Sequence, residues 1–582
     1  MVAVIRHRYL CPVSKISILA NRVIVMADRV CINVVGNRKF RRASGGNFAA
    51  CPSLELCGNN RGYLHREQIF AQPKLSHSNF AIQPDTGTFP YFCPMKKGDI
   101  LENILVENMA AEGKCVSRID GQVIFIEGAV PGDVVDVSLT RIKTSFLEGK
   151  AVAVKKFSDK RAEPFCEHFG LCGGCKWQNL NYAEQLGYKQ QQVIDNLERL
   201  GGLTLPPLLP IVASQQTTHY RNKLEYSFTA KRWLTWEEMN ALSLSPGRGV
   251  SEGRGEGEYT KAEAGLGYHL PKSFDKVFDV RNCYLQPEPS NSIRLAIKDL
   301  ALKERIPFFD LRSQQGFLRT LCIRTAQPDQ TMIILQVTSY HKEWLDLILG
   351  MIAEKFPQVN SINYVVNSKK NDSFADLEVV CWKGTPYITE HLPKADGTGV
   401  LQFRVGPKSF YQTNAQQAYE LYKVAFGMAE LKGDELIYDL YTGTGTIANF
   451  VAGKAKKVIG LEYVAPAIAD AKVNAQLNGI TNTDFFAGDI KDLLDDKFLQ
   501  THGTPDVIIT DPPRAGMHED VCRMLLKAAP EKIVYVSCNV ATQARDLKLL
   551  SEKYAITAVQ PVDMFPHTMH VENVVALKKI TA

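Results

Sequence analysis

A cysteine that follows an apolar run is the residue of this sequence best placed for nucleophilic chemistry. The run from Ile533 to Val536 predicts a buried strand of a parallel sheet, and Cys538 comes two residues after it. Ligands of open α/β sheets bind outside the carboxyl ends of the strands, so the thiol is predicted to face a binding site. A thiolate there would serve as a nucleophile. The alternative is a buried, inert cysteine, which is common in protein cores.

A glycine-rich turn and three acidic residues lie at the ends of other predicted strands. The strand at 437–440 runs into the turn 443–445, where glycine lets the backbone approach a ligand closely. Glu462, Asp489 and Asp511 follow three further strand-like segments. The turn lacks the G-x-G-x-x-G run of dinucleotide sites, and the acids suit the amino, ribose and adenine groups of S-adenosylmethionine (SAM). The pattern therefore favours methyl transfer over hydride transfer.

Three cysteines form a C-x5-C-x2-C loop that is typical of metal binding. Cys166, Cys172 and Cys175 can converge because glycines between them permit tight turns. The best candidate for a fourth ligand is Cys283, which has polar neighbours. Four thiolates of this spacing suit an iron–sulfur cluster or tetrahedral zinc, and the spacing does not choose between them. In a long chain without a clear secretory signal, 14 cysteines also indicate a reducing compartment.

Length and composition predict a soluble protein of three or four domains. The chain has 582 residues, 45% of them hydrophobic and 22% charged. It contains no apolar run of about 18 residues, so we expect no membrane span. The net charge is +6, but residues 1–94 hold 12 Lys and Arg against 4 Asp and Glu, which leaves 56 against 58 in the remainder. A polyanion would therefore meet local basic patches rather than a global field.

Pattern changes along the chain predict its domain boundaries. Residues 1–94 lack a sustained period and are expected to be disordered, or to be an extension upstream of a natural start at Met95. Short alternating segments at 95–160 predict a five-stranded, OB-like barrel whose basic residues either bind a phosphate backbone or form a solvated surface. Mixed patterns at 161–405 predict an α/β domain with a helix over 182–200 and a loop insertion at 237–264, followed by the domain at 406–582.

Several motifs together resemble the RNA uracil-5 methyltransferases, over roughly residues 95–582. The turn 112–114 and the segment 130–133 look like those of a TRAM domain, which is an RNA-binding module. The nearest branch of the family carries a TRAM domain and an iron–sulfur cluster and acts on 23S rRNA. The other motifs behind the resemblance are the four cysteines and the segments 409–414, 511–514, 537–539 and 564–572.

The resemblance implies a multidomain fold and a set of site residues. The fold is an N-terminal OB-like β-barrel (TRAM), a central α/β domain with the iron–sulfur loop, and a C-terminal Rossmann-like SAM-dependent methyltransferase domain. Cys538 becomes the nucleophile and Glu572 the general base, and Cys166, Cys172, Cys175 and Cys283 hold a [4Fe-4S] cluster. The partner is RNA, with no DNA and no membrane, and the enzyme is expected to be a cytoplasmic monomer. The residues assigned to SAM are Gln412, Tyr441, Thr446, Glu462, Asp489 and Asp511.

The chemistry of uracil methylation asks for the same residue types. Uracil C5 is weakly nucleophilic, so a thiolate must first add to C6, and a carboxylate must later remove the C5 proton. A cysteine with a pKa near 8.5 needs an electropositive site, to which Arg514 is predicted to contribute. Phe410 is predicted to line the base pocket, and Asp511 can equally contact the uracil edge. His567 and His570 are interpreted as structural.

Two other functions stay open at this point. A tRNA 5-methyluridine enzyme would use the same chemistry, although that branch lacks the leading barrel and the cysteine cluster. An RNA-binding scaffold without activity would keep the barrel but would not need Cys538 or Glu572.

Overall fold

The computed structural model describes the backbone of three short strands near the N-terminus and residues 95–110, 113–235, 238 and 264–580. The chain divides into two compact units, residues 1–96 and 97–582. In the first unit, three antiparallel strands rich in Val and Ile form a meander where the sequence predicted no strand period. The rest of the predicted disorder at 1–94, and most of the predicted insertion at 237–264, lie outside the described residues. The strands are β1 (Lys15–Leu19), β2 (Arg22–Ala27) and β3 (Val30–Val34).

The second unit begins with a six-stranded sheet in the order β4-β8-β9-β7-β6-β5. Alternate side chains such as Ile124, Ile126 and Val137 are fully buried in one apolar core. Five strands were predicted, and the sixth is the two-residue strand β5, which pairs with β6. The strands are β4 (Ile100–Leu105), β5 (Asn108–Met109), β6 (Cys115–Ile119), β7 (Gln122–Glu127), β8 (Val134–Ile142) and β9 (Phe146–Lys156).

A second, mostly antiparallel sheet follows, with seven strands in the order β12-β11-β10-β13-β14-β15-β16. Two helices, α2 and α3, pack on it around an apolar core, and a hairpin of β17 and β18 leads to the last sheet. The elements are β10 (Lys223–Thr229), β11 (Gly265–His269), β12 (Val277–Asp279), α2 (Ser290–Lys303), β13 (Leu318–Ala326), β14 (Gln330–Val337), α3 (Lys342–Lys355), β15 (Val359–Val366), β16 (Val380–Gly384), β17 (Ile388–Pro393) and β18 (Val400–Val405).

The C-terminal sheet has seven strands in the order β21-β20-β19-β22-β23-β25-β24, of which the first five are parallel. Strand order reverses between β19 and β22, which is where ligands bind in open α/β sheets. Its strands are β19 (Leu436–Leu440), β20 (Lys457–Glu462), β21 (Thr483–Ala487), β22 (Val507–Thr510), β23 (Lys532–Ser537), β24 (Tyr554–Val562) and β25 (Glu572–Lys579). Its helices are α4 (Ala415–Ala429), α5 (Thr446–Val451), α6 (Ala465–Leu477), α7 (Ile490–Leu493), α8 (Asp496–His502), α9 (Glu519–Ala528) and α10 (Val540–Leu550).

The predicted helix over 182–200 is α1 (Tyr182–Asp195), which continues as a π-helical turn, Asn196–Leu200. Val193 and Leu197 are buried in the core of the C-terminal sheet rather than in the middle sheet. The chain after this helix runs beside β24, where the Val212 amide donates to the Pro561 carbonyl over 2.9 Å. The sequence placed this segment in the central domain, but its apolar face packs on the C-terminal one. No helix in the described part of the chain is long and apolar enough to cross a membrane.

Candidate active site

A cavity of about 1330 Å³ lies at the carboxyl ends of the C-terminal strands. One wall is formed by the turn after β19, the end of β20, Asp511 after β22, Cys538 after β23 and Glu572 at the start of β25. Residues of the middle sheet and of the cysteine loop at 166–175 line the same cavity. Except for Asp489, every predicted site residue therefore lines a single cavity.

Strand pairing brings Cys538 and Glu572 together although 33 residues separate them in the sequence. Strands β23 and β25 are antiparallel, and Ser537 lies opposite Asn573. One further step along both strands places Cys538 beside Glu572. The Glu572 side chain is buried, and its carboxyl group acts electrostatically on the thiol. A thiol and a carboxyl group thus face the same space.

The charge state of this pair is set mainly by burial. Burial, followed by the charges of Glu572 and Asp511, raises the pKa of the Cys538 thiol to about 11, while Arg514 opposes the rise. Burial also raises the pKa of Glu572 to about 8, with Asp511 adding to the rise and Arg514 again opposing it. Arg514 acts in the predicted direction, but the expected electropositive site is outweighed by burial and two carboxylates. The ligand-free thiol is therefore protonated at neutral pH.

Asn539 connects the loop that carries the thiol to the loop that carries Arg514. Its side-chain oxygen accepts a hydrogen bond from the Ala541 amide over 3.2 Å and so caps α10. Its side-chain nitrogen donates to the Arg514 carbonyl over 2.9 Å, and the Thr542 hydroxyl donates to the same carbonyl over 3.2 Å. The Asn539 side chain thereby fixes both the backbone that follows Cys538 and the backbone of the loop that carries Arg514.

The glycine-rich turn after β19 is held open toward the cavity. Gly443 and Gly445 have φ angles of +56° and +78°, and no atom lies within 4 Å of the place where a side chain of Gly443 would begin. The Glu462 carboxylate accepts hydrogen bonds from the amides of Gly443 (3.2 Å) and Val464 (2.9 Å) and also lines the cavity. Backbone without side chains beside a carboxylate fits a small polar ligand such as SAM.

Asp439, which was not among the predicted site residues, stabilises this turn through hydrogen bonds made from the end of β19. It is fully buried, and one carboxylate oxygen accepts hydrogen bonds from the Thr442 hydroxyl over 2.5 Å and the Ala448 amide over 2.9 Å. Burial raises its pKa to about 7. Its position at the end of the strand that runs into the turn was a visible signal for this role.

The loop that carries Phe410 and Gln412 is anchored on the middle sheet. The buried Arg324 guanidinium of β13 donates to the carbonyls of Gly406 (2.5 Å) and Ser409 (2.7 Å). The Asn222 side chain donates to the Gln412 carbonyl over 3.0 Å. Phe410 and Gln412 both line the cavity, and the Phe410 ring is 68% exposed, so a flat ligand can reach its face.

Asp489 is the predicted residue that does not line the cavity. Its carboxylate caps the short helix α7 and forms an ion pair with Lys491 over 2.7 Å. Its charge does act on Tyr441, which lines the cavity at the foot of the turn. Asp489 thus lies outside the cavity lining that the other five residues share, and its charge acts on one of them.

The four predicted metal-binding cysteines line the same cavity as Cys538. Burial raises the pKa values of Cys166, Cys172 and Cys175, and the charge of Cys283 raises all three further. Among the described residues, no three His, Cys, Asp or Glu side chains are gathered closely enough to hold a single metal ion.

The loop 563–571, which leads into Glu572, is gripped by side chains that sequence reasoning missed. Asp563 and Lys189 are both fully buried and form an ion pair over 2.5 Å. Gln185 accepts a hydrogen bond from the His567 amide over 2.8 Å. These contacts join residues more than 370 positions apart, and no local pattern in the sequence announces them.

Two family models match the chain. The model described as tRNA (Uracil-5-)-methyltransferase matches residues 375–580. The model described as TRAM domain matches residues 98–152 and confirms the predicted TRAM module.

Similar proteins cover about four fifths of the chain. A protein of Bacteroides thetaiotaomicron named "Uncharacterized RNA methyltransferase" is 52% identical over 473 residues, which are 81% of this chain and 100% of that protein. A protein of Porphyromonas gingivalis with the same name is 49% identical over 481 residues, covering 82% and 99%. The solved tRNA (uracil-54, C5)-methyltransferase of Pyrococcus abyssi, in complex with S-adenosyl-L-homocysteine, has a TM-score of 0.61 at 24% identity and covers 82% of this chain and 100% of its own.

The relatives and the family models point to one conclusion. The likeness to the solved archaeal structure shows a shared fold, and the identity to the two bacterial proteins extends over their full length. The predicted combination of a TRAM domain with a methyltransferase domain is confirmed. The chain belongs to the RNA (uracil-5-)-methyltransferase family.

Proposed function

We propose that this enzyme transfers a methyl group from SAM to C5 of a uridine in RNA, with Cys538 as the nucleophile and Glu572 as the general base. The observation that carries the proposal is the pairing of β23 with β25, which places the thiol beside the buried carboxyl group in the cavity that the glycine-rich turn opens into. A thiol for covalent addition and a carboxylate for proton removal are the two groups that this reaction needs.

The residues at the end of β19 and β20 fit SAM. Gly443 leaves room for a ligand beside the backbone, and Glu462 offers a carboxylate at a strand end, as ribose hydroxyls require. We assign Gln412, Tyr441, Thr446 and Asp511 to the same ligand, and Asp489 to a supporting role through the effect of its charge on Tyr441. When bound, SAM supplies an electrophilic methyl group and a positive charge.

Cys538 begins and ends the covalent part of the reaction. Its thiolate adds to uracil C6, and the electron pair of the C5–C6 double bond moves toward O4, which makes C5 nucleophilic enough to accept the methyl group. The methylated C5 still carries its proton. Glu572 removes that proton, the C5–C6 double bond forms again, and the C6–sulfur bond breaks to return the Cys538 thiolate.

The positive charge of Arg514 favours the deprotonated, reactive forms of Cys538 and Glu572. It lowers the pKa values of Cys538 and Glu572 against the effect of burial. Both residues must lose a proton to act, so a further positive charge in the cavity would help in the same direction. We infer that the thiolate forms only once the cavity is filled.

We further propose that Cys166, Cys172, Cys175 and Cys283 hold a [4Fe-4S] cluster. All four are free, all line the cavity, and their charges act on one another. The C-x5-C-x2-C spacing in the sequence, with Cys283 as the fourth ligand, supports this assignment together with the resemblance to the branch that carries a cluster. Methyl transfer needs no electron, so the cluster is assigned a structural or RNA-positioning role.

The substrate that we favour is 23S rRNA, and tRNA is the second candidate. The combination of a TRAM domain with the four cysteines supports the first, by the resemblance of these motifs to the branch that modifies 23S rRNA. The description of the matching family model supports the second. We also propose that the enzyme acts as a cytoplasmic monomer on RNA, without DNA or membrane partners.

Methylation of unmodified transcripts tests the proposal. Transcripts of 23S rRNA and of tRNA are incubated with labelled SAM, and the product nucleoside is mapped by mass spectrometry. We expect 5-methyluridine in the rRNA transcript, and its loss in a Cys538→Ala variant. Label in tRNA alone would show that tRNA, and not 23S rRNA, is the substrate. Absence of label from both RNAs despite binding would favour an RNA-binding scaffold without activity.

A further inference from the structure

The loop 563–571 is held by elements from several parts of the chain. Each carbonyl from Met564 to His567 accepts a hydrogen bond from outside the loop, over 2.9 to 3.1 Å. Such a loop has little freedom to move on its own. The donors are Asn414 to Met564, Lys189 to Phe565, Tyr220 to Pro566, and the Lys176 and Trp177 amides to His567.

Side chains on one face of α1 make the buried hydrogen bonds to this loop. Tyr182, Gln185 and Lys189 are spaced by three and four residues and therefore point the same way. The Tyr182 hydroxyl donates to Asp563 over 2.8 Å and accepts from the Ser214 amide over 2.8 Å. Lys189 donates to the other Asp563 oxygen, which also accepts the Phe565 amide over 3.1 Å. The Asp563 carboxylate is thus satisfied on both oxygens.

Gln185 forms hydrogen bonds with the loop 563–571 and with two carbonyls of the chain that precedes α1. Its oxygen accepts the His567 amide over 2.8 Å, and its nitrogen donates to the carbonyls of Trp177 (2.9 Å) and Leu180 (2.8 Å). The nitrogen also lies 3.2 Å from His567 Nδ1. Trp177 lies two residues after the cysteine loop, so this one buried amide connects that part of the chain with the loop that leads to Glu572.

His567 shows why these contacts are needed. Its φ angle of +63° is in the left-handed region, which residues with a side chain adopt at a cost in free energy. Burial is the main cause that lowers its pKa to about 4, so the ring is neutral at neutral pH. The hydrogen bond that the His567 amide donates to Gln185 and the one that its carbonyl accepts from the Trp177 amide hold this conformation, and with it the loop that leads to Glu572.

We propose that Tyr182, Gln185 and Lys189 are positioning residues for the step in which Glu572 removes the C5 proton. They touch neither the uridine nor Cys538, and they act through the loop 563–571. This inference rests on the proposed function. Because Cys538 is held separately by Ser537 and Asn539 after β23, a loosened loop slows proton removal more than covalent addition.

The test measures the covalent enzyme–RNA adduct, which accumulates when elimination becomes slow. Full-length Tyr182→Phe and Gln185→Leu variants are mixed with SAM and end-labelled substrate RNA, and protein-bound RNA is separated on a denaturing gel over time. We expect the adduct fraction to exceed that of the unchanged enzyme at least threefold, with slower release of methylated RNA. Tyr182→Phe removes a single oxygen atom and keeps the ring packing, so it retains the fold.

A matched control lies on the exposed side of the same helix. Gln191 is exposed, and its side chain donates to Asp195 within α1. Gln191→Leu makes the same chemical change as Gln185→Leu and should leave the adduct fraction unchanged. Melting temperatures of all variants are recorded, since a purely structural role would lower them without changing the ratio of adduct to product.

Two results separate this inference from the proposed function. If the unchanged enzyme methylates RNA but the folded variants show its ratio of adduct to product, the positioning role is wrong and the proposed function stands. If the unchanged enzyme yields neither 5-methyluridine nor adduct, both fail together.

Discussion

The Cys538 thiol and the Glu572 carboxyl group share a buried corner in which Asp511 supplies negative and Arg514 positive charge. Burial favours the neutral form of each group, and Asp511 favours it further. Burial alone raises the pKa of Asp511 to about 7. The Cys538 thiol and the Glu572 carboxyl group therefore stay protonated until a cation or a substrate lowers their pKa values. This is the state expected of an enzyme whose nucleophile should stay unreactive without its substrate.

The rate of methyl transfer should rise with pH. Cys538 and Glu572 must both be deprotonated, and their pKa values are raised to about 11 and about 8. We expect the single-turnover rate at saturating SAM and RNA to increase between about pH 6 and pH 9. An Arg514→Met variant should need a higher pH for the same rate, because Arg514 lowers both pKa values. A rate that is flat or falls over this range would contradict the assignment.

Glu572 should also affect stability in a pH-dependent way. Its pKa is about 8 in the folded protein against an ordinary 4.5, so between these values the folded state binds more protons than the unfolded state. Its contribution to stability is therefore lost as pH rises through this window. Glu572→Gln removes this penalty and should raise the Tm by about 1–4 °C at pH 8 but hardly at pH 4.5. An equal difference at both pH values would show that packing, not ionisation, is responsible.

The residues differ in how far the sequence alone reveals them. Cys538 follows an apolar strand and is visible from the pattern. Glu572 became a candidate only through the resemblance, because an antiparallel register between β23 and β25 cannot be read from either segment. The pairing of Lys189 with Asp563 joins positions 374 apart and has no local signal at all.

At the scale of elements, the strand–turn–helix unit from β19 to α5 is the part that local sequence determines most fully. Apolar residues at 437, 438 and 440 and glycines at 443 and 445 predicted both the strand and the turn, and the structure shows them there. The helix α1 was predicted as a helix, but the sheet on which it packs was not predicted. Its apolar face fits several sheets equally well in the sequence, and only tertiary packing assigns it to the C-terminal one.

Gly445 should be the least replaceable residue of this turn. It has a φ of +78°, and an added Cβ would lie 3.0 Å from the Ala471 Cβ and 3.1 Å from the Phe485 ring. We expect Gly445→Ala to cost about 1–2 kcal/mol of stability and to weaken SAM binding about tenfold, as measured by thermal melting and calorimetry. Gly453, with nothing within 4 Å, provides the control, since Gly453→Ala should change neither value. Equal SAM affinity in both variants would argue against the assigned site.

At the scale of the molecule, the cavity is assembled from sequence regions that lie far apart. The cysteine loop, the middle sheet and the C-terminal sheet each contribute a wall. The order of domains was predictable because each has its own composition and periodicity. Their shared cavity was not, because it depends on contacts such as Arg324 with the Gly406 carbonyl that link two domains.

The four cysteines make a separate prediction about metal content. Protein purified without oxygen should contain about four iron atoms per chain and show the broad visible absorption of a cluster. Cys172→Ala should lose most of the iron, whereas Cys381→Ala, which changes a cysteine that does not line the cavity, should keep it. Zinc in place of iron would show that the cluster assignment is wrong.

The most direct test of the central claim is to trap the covalent intermediate on 5-fluorouridine RNA. Fluorine at C5 cannot be removed as a proton, so Glu572 cannot complete the elimination and the C6–sulfur bond persists. After nuclease and protease digestion, mass spectrometry should find a methylated fluoronucleotide on the peptide that contains Cys538. Methylation of ordinary RNA at C5 without any adduct on fluorinated RNA, or an adduct on another cysteine, would contradict the account.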